Sequence, residues 1–483
     1  VYILLFSLPL AGMCALLTSL WGKKGNRKAG FAVLGVLTLW YMIQSVYHTI
    51  FATVLVTKSF NMAGQALGSY WKETLLGIWE ALPALLLLAV PLVVYFFQPR
   101  FALLNRPDGR VLLGVIGGVI IVQAAAVLAI ALPTGGIMTT RQIYRETFVP
   151  DLTVSHFGLA TTLRLDIEQT LFGLEEPSRP DPGEGSVSTL APGNVSVQPE
   201  EPEEGETPAA SGPNVMDIDF DALIANETDS TLKDMHEYFR DRTPTEKNQY
   251  TGMFQGKNLL LFTGEAFWIG AVNEQYTPTL YKLAHSGFVF ENFYNPLWYY
   301  STVDGEYAAT TGLIPTNQVN ASQRYAGKNG VSMYFSMGNQ LRALGYPTLA
   351  YHNNTANYYD RNLSHPNLGY DFYACDTGLD VAMTWPQSDL EMMQLTLPQA
   401  LAGEKPFHNY YMTVSGHMNY SFAGNAMSAK HRDEVADLDM SEAARAYLAC
   451  NMELDQALEY TIKTLEEAGE LENTVIVLSG DHY

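Results

Sequence analysis

Two hydrophobic patterns divide the chain. Over residues 1–135, long apolar runs with few charges follow one another, whereas from Asp217 short β-rich runs alternate with amphipathic helical stretches. The apolar runs are Val1–Trp21, Phe31–Val56, Thr74–Phe97 and Val111–Leu132. Each has about the length, ~20 residues, that a helix needs to cross a hydrocarbon core. A cleaved signal peptide would account for none of the last three. The third run carries Glu80, Pro83 and Pro91, which predicts a first turn at the interface or against a neighbouring helix.

The connections between these runs set an orientation. Lys23, Lys24, Arg27 and Lys28 lie between the first and second runs, and Arg100, Arg106 and Arg110 between the third and fourth. The second-to-third connection holds Lys58 and Lys72, partly offset by Glu73. Basic connections stay on the cytoplasmic side, so the fourth run exits outward and everything after Leu132 is expected to be extracytoplasmic. Residues 136–174 read as a juxtamembrane helical segment. Residues 175–214, rich in Pro, Gly, Ser and Glu, read as an acidic disordered linker, because such a composition buries too little apolar surface to fold. The outer domain is then 215–483. The chain opens with Val1 inside an apolar run and stops at Tyr483 inside a motif, so it reads as a fragment lacking a piece at each end.

Within the outer domain the predicted strands are Asn258–Phe262, Pro347–Tyr351, Tyr410–Val414 and Thr474–Leu478, and the predicted helices include Thr277–His285, Met337–Leu344 and Ser441–Ala468. Leu454, Leu458, Ile462 and Leu465 form the core-facing stripe of the last helix. Strands alternating with helices predict an α/β fold with a mostly parallel sheet flanked by helices. The predicted strands run into Thr263-Gly-Glu265, His352-Asn-Asn354, Ser415-Gly-His417 and Ser479-Gly-Asp481-His482. Ligands sit beyond the carboxyl ends of strands in open α/β sheets, and carboxylates converging with imidazoles suit a divalent metal. Thr302, in STVDGEYAATTG before a predicted helix over Gly305–Thr311, stands where backbone N–H groups favour anions. Taken alone, without the converging metal ligands, it reads rather as an N-cap.

Charge and cysteine content remove other classes. The 483 residues hold 28 Lys+Arg against 50 Asp+Glu, a net charge of -22, which excludes a sequence-independent nucleic-acid binder. Cys14, Cys375 and Cys450 are the only cysteines. They build neither a disulfide framework nor a CxxC zinc site, and packing is their expected role.

Together the segments GKNLLLFTGEAF, NFYNPLWYYSTVDGEYAATTGLIP, AYHNNTANYYDRNLSHPNLGYD, TVSGHMNYSF and LSGDHY resemble the lipoteichoic acid synthases, within the alkaline phosphatase/sulfatase superfamily. The resemblance implies a multi-pass cell-membrane enzyme with an extracytoplasmic sulfatase-like catalytic domain. It implies metal ligands at Glu265, Thr302, Asp481 and His482, with Mn2+ favoured and Mg2+ or Zn2+ as other divalent candidates, and Thr302 as the covalent nucleophile. Substrate contacts implied for His352, Arg361 and His417 are joined by Tyr359, where the family has Trp, and Asn354, where it has Asp.

The implied reaction takes phosphoglycerol from phosphatidylglycerol to Thr302, releases diacylglycerol, and passes the group to a glycolipid-anchored polyglycerolphosphate chain. A threonine hydroxyl needs activation to act as a nucleophile, and metal coordination favours its ionised form. Arg361 is expected to pair with phosphate oxygens, and His417 to donate to one or to protonate the leaving alcohol. True sulfatase activity is discounted, because no C/S-x-P-x-R motif occurs. A phosphoethanolamine or other headgroup transferase is the rival within the superfamily. A non-catalytic headgroup-binding sensor or scaffold is the alternative from another class, weakened by the presence of the full ligand set.

Overall fold

The computed structural model describes residues 2–51, 53–57, 71–97, 107–130, 139–145, 148, 150–172, 211–290, 292–293, 302–315, 319–331 and 333–482. The expected linker lies outside the described residues up to position 210; beyond it, Pro213 forms an antiparallel bridge with Glu246.

The N-terminal part is helical: α1 Tyr2–Leu17, α2 Lys23–Phe51, α3 Trp71–Glu80, α4 Leu82–Phe97 and α5 Gly109–Ile130. Among the described residues α2 and α5 are long and apolar enough to cross a membrane, and α3 with α4 makes a third span if the bent pair counts as one. The bend is 66°. Pro83 explains it: proline has no N–H and its ring clashes with the carbonyl four residues back, yet it is tolerated in a helix's first turn. Helix α1 has 16 residues, short of the ~20 that span a bilayer unaided. The basic cluster read as a connection is instead the first turns of α2, which begins at Lys23. Three shorter helices follow, α6 Thr140–Arg145, α7 Pro150–Phe157 and α8 Leu159–Phe172. Ile143, Phe157 and Leu165 from them pack with Phe6 of α1 and Ala126 and Ile130 of α5.

In the outer domain five strands among the described residues, β1 Asn258–Gly264, β2 Thr348–His352, β3 Asp371–Ala374, β4 His408–Met412 and β5 Thr474–Gly480, form a sheet of order β3-β2-β4-β1-β5. Every pairing is parallel. Both faces are covered, as parallel sheets require. Leu260 and Phe262 of β1 point to one face, where they meet Met392, Met393 and Leu397 of α9 (Asp389–Ala402) and Leu454, Leu458 and Leu465 of α10 (Glu442–Glu467). Leu261 points to the other, with Ala350, Tyr370, Tyr410 and Met412. The stripe on α10 is as expected at its leucines, but Thr461 takes the fully buried place beside them and Ile462 is half-buried.

All four expected strands are present within a few residues of their expected bounds, and their carboxyl ends share one edge because the sheet is parallel. Strand β3 was not expected. It is a short edge strand with an exposed–intermediate–exposed–buried pattern, too brief for periodicity to reveal.

Candidate active site

Glu265 follows β1 directly and is 8% exposed. Its N–H donates to Thr413 Oγ1 at 3.0 Å, which ties the end of β1 to the end of β4. The next residue, Ala266, has φ 48°, a left-handed backbone that costs a non-glycine residue roughly 1–3 kcal/mol and clusters at functional sites. Its N–H donates to Asp481 Oδ1 at 2.9 Å, and His482 N–H donates to the same oxygen at 2.8 Å. Asp481 is completely buried, and its Oδ2 makes no hydrogen bond among the described residues. His482 Nε2 stands 3.3 Å from that oxygen and 3.5 Å from Glu265 Oε1.

Helix α11 (Thr302–Thr311) begins at Thr302 itself, three residues earlier than expected. The Thr302 hydroxyl faces Glu265 Oε2 at 3.5 Å. The helix can come this close because residue 305 is glycine: a Cβ there would stand 1.8 Å from the Asp481 carbonyl oxygen. Gly416 plays the same part on the other side, where a Cβ would lie 2.4 Å from the Glu265 carbonyl oxygen.

Potential ligand atoms of Glu265, Asp481 and His482 lie within 4.8 Å of one another. Burial pushes the Asp481 carboxyl well above its usual range, and the neighbouring Glu265 carboxylate adds to the shift. Burial also acts to raise Glu265, but His417 and His482 outweigh it and hold that carboxyl at about 2. Two buried carboxylates side by side resist a second negative charge unless a cation joins them. A buried Asp481 oxygen without a hydrogen bond, a second carboxylate, an imidazole and a hydroxyl close together are a donor set that fits a divalent cation.

His417 sits at the rim. Its Nδ1 lies 2.9 Å from the Met418 carbonyl, so Nδ1 carries the proton. Nε2 then faces the site, 3.9 Å from Glu265 Oε1. The Trp385 ring packs edge-on at 4.7 Å.

The remaining candidates form a second cluster. Arg361 is 1% exposed. Its Nε lies 3.1 Å from both oxygens of Glu306, its Nη2 2.6 Å from Glu306 Oε1, and its Nη1 donates to His352 Nε2 at 3.0 Å and to the Tyr358 carbonyl at 3.2 Å. Because His352 Nε2 accepts from a guanidinium, the ring is neutral with its proton on Nδ1. Burial, followed by the charge of Arg361, drives its pKa well below the ordinary value. The Tyr359 ring lies over the Arg361 guanidinium at 5.1 Å, on a backbone left-handed at both Tyr359 and Asp360. Asn354 is buried and its Oδ1 accepts from the Thr355 N–H at 2.7 Å.

The structure thus gathers Glu265, Thr302, His417, Asp481 and His482 at one point and sets His352, Tyr359 and Arg361 beside them. Asn354 is turned to its own backbone. Sequence reasoning missed Glu306, Thr413 and Asp389. Asp389 accepts from the N–H groups of Val414 and Ser415 and from Asn353 Nδ2, fixing the ends of β2 and β4. Glu306 had one legible signal, its place four residues after Thr302.

The sulfatase family model matches residues 257–483. The chain is 23% identical over 284 residues to lipoteichoic acid synthase 2 of Bacillus subtilis, covering 56% of this chain and 42% of that protein. It is 24% identical over 273 residues to the lipoteichoic acid synthase of Staphylococcus saprophyticus, covering 54% and 41%. The match thus spans less than half the length of these relatives. Among solved structures, the lipoteichoic acid synthase LtaP from Listeria monocytogenes aligns with a TM-score of 0.41 at 23% identity, over 48% of this chain and 57% of that one. Residues 257–483 thus match the sulfatase family model, and the chain is similar to the lipoteichoic acid synthases.

Proposed function

We propose that this protein is a membrane-anchored, metal-dependent transferase that moves phosphoglycerol from phosphatidylglycerol, through a phospho-threonine at Thr302, onto a polyglycerolphosphate chain. The observation that carries the reading is the Thr302 hydroxyl at 3.5 Å from Glu265, at the start of a helix and against the cluster of buried Glu265 and Asp481 with half-buried His482. Glu265, Asp481, His482 and the Thr302 hydroxyl would hold the cation, for which Mn2+ is the first candidate. When bound, such an ion neutralises the paired carboxylates and favours the ionised form of a nearby hydroxyl.

The chain's own groups supply the rest. Thr302 Oγ attacks phosphorus, the bond to the diacylglycerol oxygen breaks, and that oxygen takes a proton. His417 is placed to give it, with Nδ1 anchored to a backbone carbonyl and Nε2 facing the site. In the second half a glycerol hydroxyl of the acceptor attacks the phosphorus of phospho-Thr302, His417 Nε2 takes the proton of that hydroxyl, and the bond from phosphorus to Thr302 Oγ breaks, which returns Thr302 in its ionised form. A lipid donor accounts for a catalytic domain on a multi-pass anchor with its active site outside the cytoplasm. The lipoteichoic acid synthase names of the relatives support glycerolphosphate as the transferred group.

The test uses the full chain in vesicles with Mn2+, measuring diacylglycerol released from phosphatidylglycerol and, separately, from phosphatidylethanolamine. Release from phosphatidylglycerol alone is expected. Release from phosphatidylethanolamine alone would move the protein to the rival headgroup transferases, and release from neither would favour a non-catalytic binder.

A further inference from the structure

We propose that Glu306 is a positioning residue for this transfer, fixing the guanidinium of Arg361, and through it His352, relative to the nucleophile Thr302. The inference rests on the transferase reading.

Thr302 and Glu306 stand four residues apart on α11, so they share a helix face. Glu306 is 3% exposed, and its two oxygens take Nε and Nη2 of Arg361 in the forked geometry that carboxylates and guanidinium groups favour. From there the chain of contacts runs through Arg361 Nη1 to His352 at the end of β2. The nucleophile helix and β2 are thereby joined through a buried ion pair and one further hydrogen bond. Such a pair is a poor source of stability, since desolvation offsets most of the attraction. What it does supply is direction. Arg361 has most of its donors committed: Nη2, which carries two N–H bonds, has one partner among the described residues. In the transferase reading, that remaining N–H is the donor left for a phosphoryl oxygen, and Glu306 sets the plane of the guanidinium. Glu306 also keeps the buried positive charge balanced while no phosphate is present.

A residue that only holds up the fold would alter stability and the amount of active protein. One that aims Arg361 alters the chemical step, because a small misplacement of a phosphate-holding group removes the near-attack geometry. The test compares wild type, Glu306→Gln, Glu306→Asp, Arg361→Lys and the Glu306→Gln/Arg361→Lys double variant as full chains in phosphatidylglycerol vesicles. It reads kcat and KM for diacylglycerol release on protein quantified as folded by its melting transition. Glu306→Gln is expected to lower kcat by about tenfold or more with KM within about threefold, and Glu306→Asp to fall between it and wild type. In the Arg361→Lys background the Gln substitution should add less than about threefold, because the two residues act as one unit. A folded Glu306→Gln with wild-type kcat overturns the inference, as do independent, multiplying effects in the double variant. If Glu306→Gln does not fold, Glu306→Asp decides: a drop in kcat supports the inference and wild-type kcat overturns it. A wild type that releases no diacylglycerol removes the transferase reading and this inference with it, whereas an active wild type matched by Glu306→Gln removes this inference alone.

Discussion

At the scale of single residues, the site depends on two opposite requirements: a hydroxyl that must be present and a side chain that must be missing. Thr302→Ala removes the Oγ that faces Glu265 and nothing that the buried core relies on, since Thr302 is itself only half-buried. It is expected to abolish diacylglycerol release with the melting temperature unchanged, and turnover persisting in the folded variant would end the covalent mechanism. Gly305→Ala adds a Cβ that would stand 1.8 Å from a backbone oxygen. Because neither that helix nor the Asp481 backbone is the free end of a flexible side chain, the clash is expected to destabilise the outer domain by about 1–3 kcal/mol and to push Thr302 away from Glu265. A variant as stable and as active as wild type would show that α11 does not press on Asp481. The convergence of Glu265, Asp481 and His482 was legible because all three follow within two residues of a strand whose apolar run was plain. Thr413 and Asp389 were not, because their work is to accept backbone N–H groups from segments far away in sequence, which no local spacing reveals. Arg361 was legible as a cation but not as a buried one, for its partner Glu306 is 55 residues away.

At the scale of elements, periodicity identified the four longer strands and the long helix α10, and erred where local chemistry overrode it. Pro83 broke an apolar run that reads as continuous, and α2 took in the basic residues expected in a connection. What joins the elements on the α10 side of the sheet is also partly polar. Glu453 on α10 is completely buried and receives Lys430 Nζ at 2.6 Å and His431 Nε2 at 2.9 Å. It also accepts from the Ser388 hydroxyl, which in turn accepts from Glu391 N–H to cap α9. Burial acts to raise this carboxyl, but the bonds from His431, Lys430 and Ser388 outweigh it and hold the pKa at about 2. A folded-state value below the unfolded one, ~4.3, means the stabilisation is complete above about pH 4.3 and is lost as pH falls through about 2. Its ceiling is on the order of 3 kcal/mol. The urea midpoint of Glu453→Gln is therefore expected to lie well below wild type at pH 5.5, with the gap narrowing by pH 3. A gap that stays constant over that interval would show that the carboxylate is not what ties α10 to α9.

At the scale of the whole molecule, charge distribution and metal loading make separate predictions. A cation that binds the folded Glu265–Asp481–His482 cluster and not the unfolded chain stabilises by about 2.7 kcal/mol at a hundredfold excess over Kd. Mn2+ is thus expected to raise the melting temperature of the full chain, a chelator to reverse the gain, and Asp481→Asn to weaken it. A melting temperature indifferent to metal would remove the metal site whatever the activity assay shows. Orientation rests on a different property. The chain carries a net charge of -22, yet within residues 1–135 most of the basic residues stand in the first turns of α2 and in the approach to α5, while residues 175–214 are acidic. Lys and Arg near a span resist translocation far more than acidic residues promote it, so the start of α2 is expected to stay inside and the acidic segment to go out. With the native cysteines replaced, Ser188→Cys is expected to react with a membrane-impermeant maleimide in intact cells, and Gly25→Cys, beside the α2 cluster, only after the membrane is permeabilised. The reverse pattern would place Thr302 in the cytoplasm. There its donor would have to come from the inner leaflet, and the case for an enzyme that builds polymer outside the cell would fail on topology alone.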